Sequence, residues 1–124
     1  MGDGIRVTAK SFEDVEFWQR ARGFVLGVYR LSETFPKTEI FSLSSQLRRA
    51  AVSVPANFAE GFKKIGKADK LRFFNIAQGS LEECRYYLIL ARDLGYGAVD
   101  DLQSQSVSIG KMLNSYMSAI SRDR

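Results

Sequence analysis

KADKLRFFNIAQGSLEECRYYLILARDL, residues 67–94, is the stretch from which the fold is read. Wound as an α-helix at about 100° per residue, it places Phe74, Ala77, Leu81, Cys84, Leu88 and Ala91 on one seam. Ile76, Tyr87, Leu90 and Leu94 fall on a second, adjacent seam. Together the two span more than half of the circumference. A helix in a bundle buries one seam, so the surplus calls for another surface to cover it. Ile76, Tyr87, Leu90 and Leu94 are therefore the predicted oligomer interface, with a second copy of the chain as the simplest partner.

Reading outward, Gly61 and Gly66 bracket a turn before this helix, and Gly95 with Gly97 ends it. Upstream, a second helical stretch runs from about Lys37 to Phe62. Ile40, Leu43, Leu47, Ala50, Val54 and Phe58 lie on one of its faces. Pro55 sits inside it, where a missing amide and a crowded preceding turn predict a kink. The first stretch starts at Ser11, a good N-cap followed by Glu13 and Asp14, and stops near Phe35-Pro36. Its apolar residues are Trp18, Ala21, Val25, Val28 and Phe35, with an extra stripe of Phe17, Phe24 and Leu31. The last opens at Asp100 and Asp101 and carries Leu102, Ile109, Leu113, Tyr116 and Ile120. With no strand-like alternation anywhere, the expected fold is all-α. It is an antiparallel up-down four-helix bundle over residues 12–121, flanked by tails at 1–11 and 122–124.

Composition narrows the chemistry. The chain of 124 residues has no histidine and one cysteine, Cys84. That removes the commonest general base, the commonest metal ligand and any internal disulfide. An enzyme is not expected, nor any cofactor or metal. No apolar run approaches the roughly 20 residues of a membrane span, and MGDGIRVTAK lacks the core of a signal peptide. Arg6 stands where a myristoylation motif wants Ser or Thr. A cytoplasmic protein is the expectation. The formal net charge is +4, and it is concentrated. Segment 63–72 holds Lys63, Lys64, Lys67, Lys70 and Arg72 against Asp69, while thirteen basic and thirteen acidic residues cancel elsewhere. Those five cations are the predicted nucleic-acid contacts, since a concentrated basic patch is the footprint of a phosphate-bearing partner.

The most unusual stretch is LRRAAVSVPANFAEG, residues 47–61. Helical spacing puts Arg49, Ser53, Asn57 and Glu60 in one polar stripe, with Gln46 at its edge and small Ala50, Ala51, Ala56 and Ala59 beside it. Glu83 of the following helix projects between the two apolar seams, where a lone carboxylate would be costly. Arg48 or Arg49 is its expected partner. The stripe reads as a structural polar network that fixes helix register, rather than as a catalytic pocket.

FEDVEFWQRA (12–21), FPKTEIFSLSSQLRRAAVSVPANFAEGF (35–62), LRFFNIAQGSLEEC (71–84) and YLILARDLGY (87–96) resemble a known family. It is the four-helix-bundle family encoded within intervening sequences of bacterial 23S rRNA genes, and SQLRRAAVSVPANFAEG is the specific block. The family is similar to the accessory variability determinant of diversity-generating retroelements, a small basic partner of a reverse transcriptase. The resemblance implies a ring-shaped homopentamer that associates with nucleic acid and has no catalytic residues. The turn FKKIGKADK departs from the family pattern in lacking an Arg and a Ser. Function is thus expected to be non-enzymatic binding of RNA or DNA, structured RNA first, by a basic turn repeated around a ring. The alternative is a protein-interaction scaffold, such as the accessory subunit of a reverse transcriptase.

Overall fold

The computed structural model describes residues 9–123, so residues 1–8 and 124 of the two expected tails lie outside the described residues. Four α-helices carry the chain: α1 (Glu16–Ser32), α2 (Leu43–Lys63), α3 (Lys67–Asp93) and α4 (Asp100–Arg122). No strand occurs among the described residues. Each helix packs on the one before it, α1 closes against α4, and the α2–α3 contact is the most extensive. Short turns reverse the direction each time, so the packing is that of an up-down bundle. The α2–α3 turn lies at one end and the α1–α2 and α3–α4 connections at the other.

Both early helices begin later than the sequence reading has them. Ser11 does cap, but it caps a 3₁₀ turn, Phe12–Asp14. Its Oγ accepts from the Glu13 amide at 3.2 Å while Asp14 accepts from the Ser11 amide at 3.2 Å, and α1 starts only at Glu16. Likewise Lys37–Glu39 is a separate 3₁₀ turn and α2 starts at Leu43. Glu39 explains that start. Its carboxylate accepts from the Ser42 hydroxyl and, at 3.3 Å, from the Leu43 amide, covering donors that the first turn leaves open. Pro55 is buried inside α2, which continues to Lys63.

The main seam of α3 is buried throughout: Phe74, Ala77, Leu81, Cys84, Leu88 and Ala91. Across from it lie Leu47, Ala50, Val54 and Phe58 of α2, Ile109 and Leu113 of α4, and Phe17, Ala21, Phe24 and Val28 of α1. The first helix is thereby reassigned. Phe17 and Phe24, read as surplus, are core, whereas Trp18, Val25 and Leu31 are half-buried at its margin. At the α2–α3 turn end the core is aromatic. Phe58 lies 4.9 Å from both Phe17 and Phe74 between ring centroids, and Tyr116 lies 5.2 Å from Phe58. Such rings bury the largest areas per side chain and prefer offset or edge contacts. At the other end α3 stops in a Schellman motif. Gly95 adopts φ +74°, and the Tyr96 and Gly95 amides donate to the carbonyls of Ala91 and Arg92 at 2.9 and 3.0 Å.

Candidate nucleic-acid interface

The basic residues gather where α2 hands over to α3, and the backbone there is held by a close approach. A Cβ on Gly61 would sit 2.7 Å from the Phe74 ring and 2.9 Å from Cβ of Phe73, so only glycine lets the helices meet. Phe74 then enters the core and its neighbour Phe73 is left half-buried at the surface. Two cations bracket the Phe73 ring. The Lys64 ammonium lies 5.0 Å from its centroid and the Arg72 guanidinium 4.7 Å. Cation–π contacts of this kind orient the charged groups without neutralising them. Arg72 also lies 3.7 Å from Asp69 in an exposed i,i+3 pair, worth little in water. Lys63 is exposed beside them.

The other two cations serve the fold. Lys70 donates to the Phe62 carbonyl at 2.6 Å and reaches that of Gly61 at 3.5 Å, the last turn of α2. Burial pushes its pKa below the ordinary lysine value. Lys67 donates to the carbonyls of Ser121 (3.2 Å) and Asp123, where α4 ends. Helix C-termini carry unpaired carbonyls and partial negative charge, which is what an ammonium seeks. Of the five expected cations, Lys67 and Lys70 are thus held at helix ends with their charge kept, and Lys63, Lys64 and Arg72 lie at the turn with no such backbone bond among the described residues. A count of charges along the chain has no means of showing that two helix ends fold back beside Lys67 and Lys70.

The polar stripe divides in two. Ser53 Oγ lies 2.7 Å from Ser80 Oγ of α3, and the Asn57 amide donates to Ser53 Oγ at 2.8 Å and to its carbonyl at 2.9 Å. Arg48 faces the opposite way, donating through Nε to Ser32 Oγ of α1 at 2.6 Å with its guanidinium over the Tyr29 ring. The expected pairing of Glu83 with Arg48 or Arg49 does not form. Glu83, Arg49 and Glu60 are all exposed, and Glu83 accepts from the Tyr87 hydroxyl at 3.2 Å. Water solvates that carboxylate, so it carries no desolvation debt for an arginine to settle. Ser80, which the sequence reading missed, was visible as the one hydroxyl between Ala77 and Leu81 on the buried seam.

Of the expected interface residues, Ile76 (43% exposed) and Leu94 (49% exposed) are open to solvent. Tyr87 and Leu90 are half-buried and pack on the core. The most exposed apolar side chains lie in turns instead, Phe41 at 95% and Ile65 at 98%. Phe41 borders a groove of about 820 Å³ between α1, the α1–α2 connection and α2. Tyr29, Ile40 and Val52 line it together with Lys37, Arg48 and Arg49. Cys84 is buried, and burial first, then the Glu83 charge, pushes its thiol pKa up to about 12, which leaves no thiolate at neutral pH. Among the described residues no cluster of potential ligands could hold a metal ion, and no helix is long and apolar enough to cross a membrane.

A family model described as "23S rRNA-intervening sequence protein" matches residues 13–115. The chain belongs to that family. The match runs from the 3₁₀ turn before α1 into the second half of α4, so it spans α1, α2, α3 and much of α4. One solved structure with this fold is that of a protein of unknown function from the S23 ribosomal protein family of Bacteroides thetaiotaomicron VPI-5482. It is 24% identical, with a TM-score of 0.76 over 82% of this chain and 97% of that one. No match is found among curated proteins.

Proposed function

We propose that this member of the 23S rRNA-intervening sequence protein family is a non-catalytic, oligomeric nucleic-acid-binding protein that engages structured RNA through the α2–α3 end of the bundle. The observation that carries the reading is the pair Lys64 and Arg72 on the ring of Phe73, with exposed Lys63, next in the chain to Lys64, as the third of the trio. The N-terminus of α3 opens in the same place. Its N-cap is Gly66, which has no side chain to cover the first amides, so they add to the positive end of the helix. One copy offers few phosphate contacts. Self-association, favoured by the exposed Ile76 and Leu94 and by the pentameric ring that the resemblance implies, would repeat these cations and steepen the salt dependence. Cytoplasmic residence goes with an RNA partner and is part of the same proposal.

The test is the variant Lys63→Gln, Lys64→Gln, Arg72→Gln. It should retain its thermal midpoint and lose RNA affinity, while native binding falls with salt at a log–log slope of about −0.7 to −0.9 per phosphate contact. Lys70→Gln should instead lower the midpoint, because the end of α2 loses its donor. RNA binding unchanged in the triple variant would shift the weight to the second reading, a protein-interaction scaffold such as a reverse transcriptase accessory subunit. That reading is favoured by the groove beside Phe41, where exposed apolar side chains stand among Lys37, Arg48 and Arg49.

A further inference from the structure

Next to the trio, α3 and α4 diverge into a groove of about 560 Å³ that Arg72 shares with the basic turn. Its lining differs sharply from the turn. Asn75 and Gln78 of α3 face Asn114 and Ser118 of α4 over apolar Leu71 and Met117, and Arg72 is its only charged group. Gln78 donates through Nε2 to the Asn114 Oδ1, which leaves each carboxamide with further donor and acceptor capacity. Among the described residues no carboxylate lines the groove, and Asp69 lies 3.7 Å from Arg72. Past Arg72 the groove offers no cation to hold a phosphate. Carboxamides joined to apolar floor residues are suited to flat groups with hydrogen-bonding edges, because a carboxamide presents a donor and an acceptor side by side. Unpaired nucleobases are such groups, and loops and bulges of structured RNA expose them.

We propose that this groove takes the bases of unpaired nucleotides whose phosphates are held by Lys64 and Arg72, and that Asn75 and Asn114 read their edges. The proposal rests on the nucleic-acid reading above and adds to it a base preference and a preference for single strands. Continuity carries it: Arg72 lines the groove, so a base attached to a phosphate at Arg72 has the shallow carboxamide-lined surface of Asn75, Gln78 and Asn114 beside it. The Gln78–Asn114 bond ties the two walls together, and Lys67 pins the end of α4 through the Ser121 and Asp123 carbonyls.

The experiment titrates the full chain with labelled 12-nucleotide homopolymers of each RNA base and with a duplex of equal length, at several salt concentrations. The native protein should favour one base over the weakest by about tenfold or more and should favour single strands over duplex. Asn75→Ala, an exposed position where alanine suits a helix, should compress that preference to about twofold without changing the salt slope, and Asn75→Ala with Asn114→Ala should abolish it. If the double variant loses helical signal, the single variant alone decides. The Lys63, Lys64, Arg72 triple variant should weaken all homopolymers alike and flatten the slope. Equal native affinity for all bases, or a preference that survives Asn75→Ala, would overturn the groove while leaving the basic-turn reading intact. Absence of binding to every oligonucleotide would overturn both.

Discussion

Glu39 is a carboxylate outside any catalytic setting whose hydrogen bonds join two connections of the bundle. It accepts from the Ser42 hydroxyl, from the Tyr96 hydroxyl at 2.7 Å and from the Leu43 amide, and these bonds, Ser42 first, hold its pKa below the ordinary 4.5. A carboxylate whose folded pKa is depressed contributes stability above the usual carboxylate range and loses it as pH falls through the lowered value. The urea midpoint of the native protein should therefore drop on acidification below about pH 4.5, and that of Glu39→Gln should drop less steeply. Identical acid limbs in the two proteins would mean that the stability change comes from other carboxylates. The bond from Tyr96 to Glu39, which joins the α3–α4 connection to the α1–α2 connection, was out of reach of sequence reasoning, because the two residues are far apart in the chain and neither stands out by type.

At the scale of the helix, the α2–α3 pair is set by glycine. Gly61 and Gly79 are both helical, yet they have opposite surroundings. A Cβ at 61 meets the Phe74 ring at 2.7 Å and Cβ of Phe73 at 2.9 Å, whereas one at 79 meets nothing within 4 Å. Gly61→Ala should lower stability by about 1–3 kcal/mol, as overpacking does. Gly79→Ala should raise it by about 0.5–1 kcal/mol through helix propensity alone. Chemical denaturation with an unchanged m-value would measure both. A stabilised Gly61→Ala would show that the helices have room to part, and with it the bracketed placement of Phe73 would fall. The glycine at 61 was read as a turn marker, yet α2 continues past it to Lys63. Its packing role was not readable, because the ring it admits comes from the next helix.

For the whole molecule, the question is what covers the exposed apolar side chains. Ile76 and Leu94 face solvent, as the proposed interface requires, while Tyr87 and Leu90 pack inward. Light scattering coupled to size exclusion should give a mass several-fold above 14.0 kDa, near five copies. Ile76→Glu with Leu94→Glu should reduce that mass with little loss of helical signal, since both sites are solvent-facing in the single chain. A native protein of 14.0 kDa at micromolar concentration would end the ring reading, and the basic trio would then have to act alone.

The sequence by itself determined the helices and the core seam of α3, because a 3.6-residue apolar period is a local property that any burial must obey. Composition removed histidine-dependent chemistry and an internal disulfide, since absent histidine and a single cysteine are facts of the chain alone. Tertiary structure decided which cations are tied to helix ends. Lys67 and Lys70 were indistinguishable from Lys63 and Lys64 until the ends of α4 and α2 came to lie beside them. It also decided that Glu83 stays in water and that Phe17 and Phe24 lie inside. The reason is the same in each case: whether a charge is paired or a ring is buried depends on distances between segments remote in sequence, and no periodicity within one segment encodes them.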